Sequence, residues 1–196
     1  MEYRLNKQTL LDVLGQWNVF VKRKVHLIAC GGTALTLLDI KPSTKDVDFL
    51  VPIESEYKYL IRIFRDLGYQ QTTGSGWQKK GDLFIFDLFP GKRIHTTELL
   101  ESSLEEGNHI LLKEFSYLYI GILNEYDLLV SKLFRGTDVD FEDCLALVKA
   151  KKQEIDIKLF ERRFLETALY EISEEKVKKH LNYFLRMVKK EKIYGK

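Results

Sequence analysis

Two aspartates one residue apart, Asp46 and Asp48 in "STKDVDFLV", and a third, Asp87, inside the apolar run "LFIFDLF", are the residues best suited to do chemistry in this chain. In an extended strand, positions i and i+2 point to one face about 6.6 Å apart along the chain, so Asp46 and Asp48 are expected to project together while Val47 and Phe49 face a core. Two like charges in one small volume raise one pKa or demand a cation, and hard divalent ions such as Mg²⁺ or Mn²⁺ take carboxylate oxygens. Asp87 interrupts six hydrophobic residues. An isolated ionised carboxylate there costs several kcal/mol unless it is paired or bound to metal. Asp46, Asp48 and Asp87 therefore read as one metal-binding carboxylate set.

The stretch "ACGGTALTLL" lies just upstream of the aspartates. Gly31 and Gly32 read as a turn opening a helix of about two turns, where the backbone can come close to a ligand. Helix N-termini carry unpaired N–H groups and the positive end of the helix dipole, which attract phosphate, and Thr33 adds a hydroxyl. A Gly-Gly pair alone more often means a tight packing turn. Next to three carboxylates, the phosphate reading gains weight.

The elements that must position these residues follow from hydrophobic period. Leu10, Leu11, Leu14, Trp17 and Val21 share a helical face, and Val25 to Ala29 form a short buried strand. "DVDFLV" is a strand. A helix runs from Glu54 to Leu67, with Tyr57, Leu60, Ile61 and Phe64 along one side, Glu54 and Glu56 early, Arg62 and Arg65 late, and Gly68 as its stop. "YQQTTGSGWQKKGDLFIFDLF" gives three strands joined by Gly-bearing turns, and "HILLKEFSYLYIG" adds edge strands. From Asn124 onward the pattern is helical, and Val177, Leu181, Phe184, Leu185 and Val188 make the apolar stripe of the last helix. The expected division is a core over residues 1–120 and a helical C-terminal subdomain over 121–196.

Composition narrows the classes. At 196 residues and 45% hydrophobic, the chain has enough apolar residues for one sizeable core. No run of about 18 apolar residues can span a bilayer, and the opening residues lack the apolar core of a secretory signal, so the cytoplasm is the expected location with no membrane partner. Cys30 and Cys144 are far apart, the four histidines are scattered, and no zinc spacing occurs. The net charge of +2 is uneven: residues 149–196 carry +6 and the rest −4. Lysines on wet helix faces explain that tail as readily as RNA binding through Lys178, Lys179 and Lys189 does.

"ACGGTALTLLDIKPSTKDVDFLV" resembles the signature of the nucleotidyltransferase superfamily of DNA polymerase β-like fold. That signature is a hydrophobic residue, Gly-Gly or Gly-Ser, a short gap, Asp-hydrophobic-Asp-hydrophobic, and a later Asp on another strand. The gap here, Thr33 to Lys45, is thirteen residues. The stretch looks most like small prokaryotic AbiEii-type nucleotidyltransferases, some of which are toxins of toxin–antitoxin pairs. "EYDLLVSKLFRGTDVDFEDCLAL" is similar to the family's lysine-bearing helix followed by Arg and an Asp-rich loop, at Lys132, Arg135, Asp140 and Asp143. Related sequences often carry Arg two residues before the Ser or Thr that precedes the aspartates; here Pro42 stands before Thr44, with Lys41 adjacent.

The resemblance implies an α+β nucleotidyltransferase fold, a mixed β-sheet flanked by helices with a helical C-terminal subdomain. It implies transfer of an NMP from an NTP substrate to an RNA, protein or small-molecule acceptor, with release of pyrophosphate. Two Mg²⁺ ions about 3.5–4 Å apart would be held by Asp46, Asp48 and Asp87. Gly31, Gly32, Thr33 and Thr44 would hold the nucleotide, and Lys132 or Arg135 would offset charge on the leaving group. Lys132 reads equally well as a solvated helix lysine, and Asp140 and Asp143 read as helix capping and a salt bridge to Arg135. An antitoxin partner follows if the chain is a toxin. The rival is a nucleotide- or partner-binding module that keeps the fold without turnover. A dinucleotide-binding protein is disfavoured, because GxGxxG is absent.

Overall fold

The computed structural model describes residues 4–194, in the order α1 (Lys7–Phe20), β1 (Val25–Ala29), α2 (Gly31–Leu37), β2 (Val47–Val51), α3 (Glu54–Asp66), β3 (Tyr69–Gln71), β4 (Gly76–Lys79), β5 (Phe86–Pro90), β6 (Arg93–Ile94), β7 (Thr97–Glu98), β8 (His109–Glu114), β9 (Leu118–Leu123), α4 (Glu125–Arg135), α5 (Asp138–Ala150), α6 (Ile157–Ala168) and α7 (Glu174–Lys190). Seven strands form one mixed sheet in the order β3-β4-β5-β2-β1-β9-β8, and β6 and β7 make a separate small hairpin. β9 is not the edge strand expected from its sequence. It lies inside the sheet, parallel to β1 and antiparallel to β8.

Strand alternation sorts the residues between two faces. β2 and β5 are parallel, with Val47 opposite Phe86, Asp48 opposite Asp87 and Phe49 opposite Leu88. Phe86 faces α1 and α3, where Trp17, Phe64, Tyr69 and Phe86 pack ring on ring, with Trp17 4.4 Å from Phe86 and 4.6 Å from Phe64 between centroids. Such pairs contribute about 0.5–1.5 kcal/mol each beyond area burial. Alternation therefore turns Asp48 and Asp87 to the opposite face, toward α2 and α4.

The helical half begins where the sheet ends. β9 runs to Leu123, so the expected division at 120/121 falls within a strand of the sheet. Asn124 then caps α4 by accepting from the Asp127 N–H at 2.8 Å. The buried side chains of the sheet and of α4–α7 form one continuous cluster. Along α7, Val177, Leu181, Phe184 and Val188 are buried as the stripe requires, and Cys30 and Cys144 are buried free thiols. No helix among the described residues is long and apolar enough to cross a membrane.

The α4–α5 turn is closed by Gly136 in the left-handed region (φ +66°) and by a reciprocal capping box between Thr137 and Asp140. A β-carbon at Gly136 would overlap the imidazole of His180, which is held 2.8 Å from the Leu133 carbonyl. Gly136→Ala is therefore expected to destabilise the protein by about 2 kcal/mol or more, the left-handed cost plus displacement of α7. A urea denaturation midpoint equal to wild type would show that this turn does not depend on glycine.

Candidate active site

The structure places Asp48 and Asp87 side by side on adjacent strands, with Asp46 on the segment just before β2, near enough for its charge to act on Asp48. Asp46 precedes β2 and is exposed, whereas Asp48 lies within β2, 7% exposed, directly in register with Asp87 on β5. The i, i+2 pair expected on one strand is thus replaced by a cross-strand pair. Ser75, from the β3–β4 turn, donates to Asp87 Oδ1 at 2.7 Å. The Asp48 carboxylate accepts no hydrogen bond among the described residues. It lies against Gly31, whose φ of +56° no branched residue tolerates and where a β-carbon would overlap the carboxylate. Gly31 therefore makes room for Asp48 itself.

Thr33 and Thr44 brace the same segment. The Asp48 N–H donates to Thr33 Oγ1 at 2.9 Å, and the hydroxyls of Thr33 and Thr44 both point to the Asp46 carbonyl, at 3.3 and 2.8 Å. Both threonines are buried. Gly32 lets Thr44 approach, since a β-carbon there would lie 2.9 Å from Thr44 Oγ1. Thr44 is tied in turn to Leu5 by two backbone hydrogen bonds of 2.8 and 2.9 Å. The threonine hydroxyls, expected on a nucleotide, fix the backbone from which Asp46 and Asp48 project.

Facing the carboxylates from α4 and α5 is a buried charge cluster. Lys132, 2% exposed, pairs with Asp143 at 2.7 Å and reaches Asp140 at 3.6 Å; Lys41 holds the other Asp143 oxygen at 2.8 Å. Lys132 is therefore not a solvated lysine. Arg135 binds Asp140 with two N–H groups, at 2.8 and 2.5 Å, yet its side chain is 41% exposed, against 2% for Lys132. Asp140 takes the capping role read from the sequence, and Asp143 pairs with lysines in place of Arg135.

Electrostatics follows from this geometry. Burial pushes Asp48 from the ordinary 3.8 up to about 7, Asp87 adds to the rise, and Lys132 and Arg135 oppose it. Burial would also raise Asp140, but hydrogen bonds from Arg135 and Thr137 outweigh it and hold its carboxyl down at about 2. Burial and the neighbouring Asp48 raise the Cys30 thiol well above its usual range.

Two residues near the site went unnoticed in the sequence. His95, at the turn of the β6–β7 hairpin with φ +51°, packs edge-on to Phe89 at 4.6 Å and lies 3.4 Å from Arg135 Nη1. Partial burial and then the Arg135 charge lower its imidazole pKa. Ser75 looked only like part of a glycine-rich turn. The available signal for His95 was the short "PGKRIHTTE" return immediately after the Asp87 strand.

Among the described residues no group of three His, Cys, Asp or Glu side chains is gathered to hold a metal ion. Two carboxylates suffice for a Mg²⁺ that takes its other oxygens from water and substrate phosphate. Asp48, buried and unpaired by any described hydrogen-bond donor, and Asp87 beside it have the chemistry of such a site.

A family model described as "Nucleotidyltransferase of unknown function (DUF6036)" matches residues 8–192. No curated protein matches the chain in sequence. Among solved structures, a lincosamide antibiotic adenylyltransferase, LnuA, bound to lincomycin, aligns with a TM-score of 0.50 at 15% identity, covering 74% of this chain and 98% of its own. An antigenic nucleotidyltransferase-like protein from Paracoccidioides brasiliensis aligns with a TM-score of 0.50 at 12% identity, covering 92% and 95%. The fold is that of the nucleotidyltransferases.

Stability should report the buried carboxylate. An acid whose folded pKa is raised costs nothing below about pH 4, where both states hold the proton; the cost grows as pH rises and is complete above about pH 7. In EDTA, Asp48→Asn is expected to match wild type near pH 4 and to exceed it by up to about 4 kcal/mol at pH 8. Asp140 acts with the opposite sign, its contribution lost as pH falls through about 2, and it is common to both proteins. Urea titrations across this range check the difference; parallel curves would remove the strain assigned to Asp48. Separately, Lys132→Met leaves Asp143 and Asp140 short of a buried partner and should cost about 3 kcal/mol with or without nucleotide. A variant as stable as wild type but unable to bind nucleotide would return Lys132 to the ligand-contacting role.

Proposed function

The chain belongs to the DUF6036 family of nucleotidyltransferases, and we propose that it transfers a nucleoside monophosphate from an NTP to an acceptor hydroxyl through a site built on Asp48 and Asp87. The observation that carries this reading is the in-register pair of carboxylates on adjacent parallel strands, one of them buried against Gly31. Residues that keep two like charges side by side need a cation to complete them, and Asp48 and Asp87, joined by the exposed Asp46, would hold Mg²⁺ or Mn²⁺. The ion would neutralise triphosphate charge when bound.

The rest of the chemistry falls to side chains. The triphosphate lies along the start of α2, where the first-turn N–H groups have no helical acceptor. Thr33 and Thr44 hold Asp46 and Asp48 in place. Arg135, anchored by Asp140 and partly exposed, offsets charge on the leaving phosphates, and Lys132 adds a second positive charge held beneath it by Asp140 and Asp143. The acceptor oxygen bonds to the α-phosphorus, the bond from the α-phosphorus to the α–β bridging oxygen breaks, and pyrophosphate leaves with the electron pair. Asp87, oriented by Ser75, takes the hydroxyl proton.

A cavity of about 200 Å³ lined by Arg93, Glu98, Phe134, Tyr170 and Glu171 opens on the hairpin that carries His95. Its mixed charge suits a small hydroxylated acceptor better than a polyanion such as RNA, and the lincomycin complex of LnuA supports that class. The AbiEii likeness, a toxin–antitoxin role and an antitoxin partner rest on the motif alone. The second reading, a binding module without turnover, draws on the position of Asp46 outside β2.

The test is pyrophosphate release from each NTP with Mg²⁺, with small hydroxylated compounds, RNA and protein as acceptors, and calorimetry of NTP binding with Mg²⁺ or EDTA. Turnover is expected to require the metal, and NTP to bind far more weakly in EDTA. Asp87→Asn should keep or raise the melting temperature of the metal-free protein while lowering turnover by at least about 10²-fold. Equal NTP affinity in EDTA, or an Asp87→Asn protein as active as wild type, would defeat this mechanism. Metal-dependent binding with no turnover on any acceptor would favour the module.

A further inference from the structure

We propose that the outward face of α6 is a two-fold interface that takes a second copy of this chain, a reading independent of the nucleotidyl-transfer chemistry. The inner face of α6 is fully committed: Phe160, Phe164 and Ala168 are buried, and Arg163 binds Asp127 of α4 at 2.9 and 3.1 Å. The outer face is apolar without cover. Leu165 is 38% and Leu169 69% exposed, and the turn that follows adds Tyr170 at 80% and Ile172 at 104%. Contiguous apolar side chains of this kind mark contact surfaces on monomers. A groove of about 550 Å³ runs along Leu165 and Leu169, with Lys178 of α7 on its wall, while Tyr170 and Ile172 border the separate cavity beside the β6–β7 hairpin.

Charge decides the occupant. Lys158, Arg162 and Glu166 share this face, and among the described residues none of them makes an ion pair within the chain. A parallel copy would set Arg162 on Arg162. An antiparallel copy whose two-fold axis crosses the outer face at the level of residue 164 pairs residues equally far from that level, so Arg162 of each copy meets Glu166 of the other and Leu159 meets Leu169. Every contact occurs twice, and the Arg162 and Glu166 charges are used together with Leu159 and Leu169. A polyanion would meet Glu161 and Glu166 on the same face, and a lipid surface would leave Glu166 unpaired in the interface.

Sedimentation velocity from micromolar to several hundred micromolar protein tests the proposal. Wild type is expected to show a concentration-dependent monomer–dimer equilibrium. Arg162→Glu and Glu166→Arg should each weaken dimerisation by roughly tenfold or more, and the double variant should regain wild-type affinity, because the pair is restored with its signs exchanged. Leu169→Glu should yield monomer with an unchanged circular dichroism spectrum, since the residue is exposed. Wild type that stays monomeric throughout would overturn the proposal, including in favour of a different protein on this face. A wild-type dimer indifferent to all four variants would place the interface elsewhere.

Discussion

Two carboxylates at the same register of adjacent parallel strands set the terms for everything around them. Like charges one strand spacing apart, about 4.8 Å, repel by roughly 3 kcal/mol at an effective dielectric near 20, and burial of Asp48 adds to that cost. The fold accepts it because the surroundings leave the pair no escape. Asp48 is closed in by Gly31, its backbone is held by Thr33, and Asp87 is tethered through Ser75. Each of these groups fixes where charge sits, and none cancels it.

Cancellation comes from α4 and α5, and only in part. Lys41, Lys132 and Arg135 stand against Asp140 and Asp143, leaving one positive charge in excess near the carboxylates. Because Lys132 is pinned between two aspartates, the cluster acts as a fixed field, and Arg135 is its open edge. The same ion pairs tie the segment before β2, through Lys41, to the helical half, so the two regions share electrostatics as well as a core. A fixed, preorganised field is the arrangement that charge-developing chemistry profits from most.

Local pattern revealed the elements but not their pairings. β1, α2 and α3 were legible because period and caps are written in neighbouring residues, and Asp87 was legible because an aspartate in a hydrophobic run has few harmless explanations. The partnership of Asp48 with Asp87 was not, since it depends on β2 and β5 lying side by side with α3, β3 and β4 between them in the chain. The strand begins at Val47, one residue later than its alternation suggests, so Asp46 lies on the segment leading into it. That Thr33 and Thr44 also brace the backbone, both hydroxyls donating to the Asp46 carbonyl, is a contact between segments that no local pattern displays. Lys132 carries no sign in its own helix that two aspartates of the next helix will bury it, and the exposed face of α6 shows its meaning only after the inner face is accounted for.

The placement of β9 has a consequence for how the chain comes together. β1 pairs on one side with β2, about twenty residues away, and on the other with β9, where Val25 meets Leu118 and Ala29 meets Ile122. During synthesis β1 has its first partner long before its second exists. For that interval a strand of "VHLIA", with one row of backbone donors and acceptors unpaired, is an open edge of the kind that recruits other chains. The long-range parallel pairing that closes it carries a large loop-closure cost and slows folding. The part of the molecule nearest the carboxylates is thus the part most exposed to misassociation while the chain is being made, and it becomes safe only when the strand leading into α4 arrives.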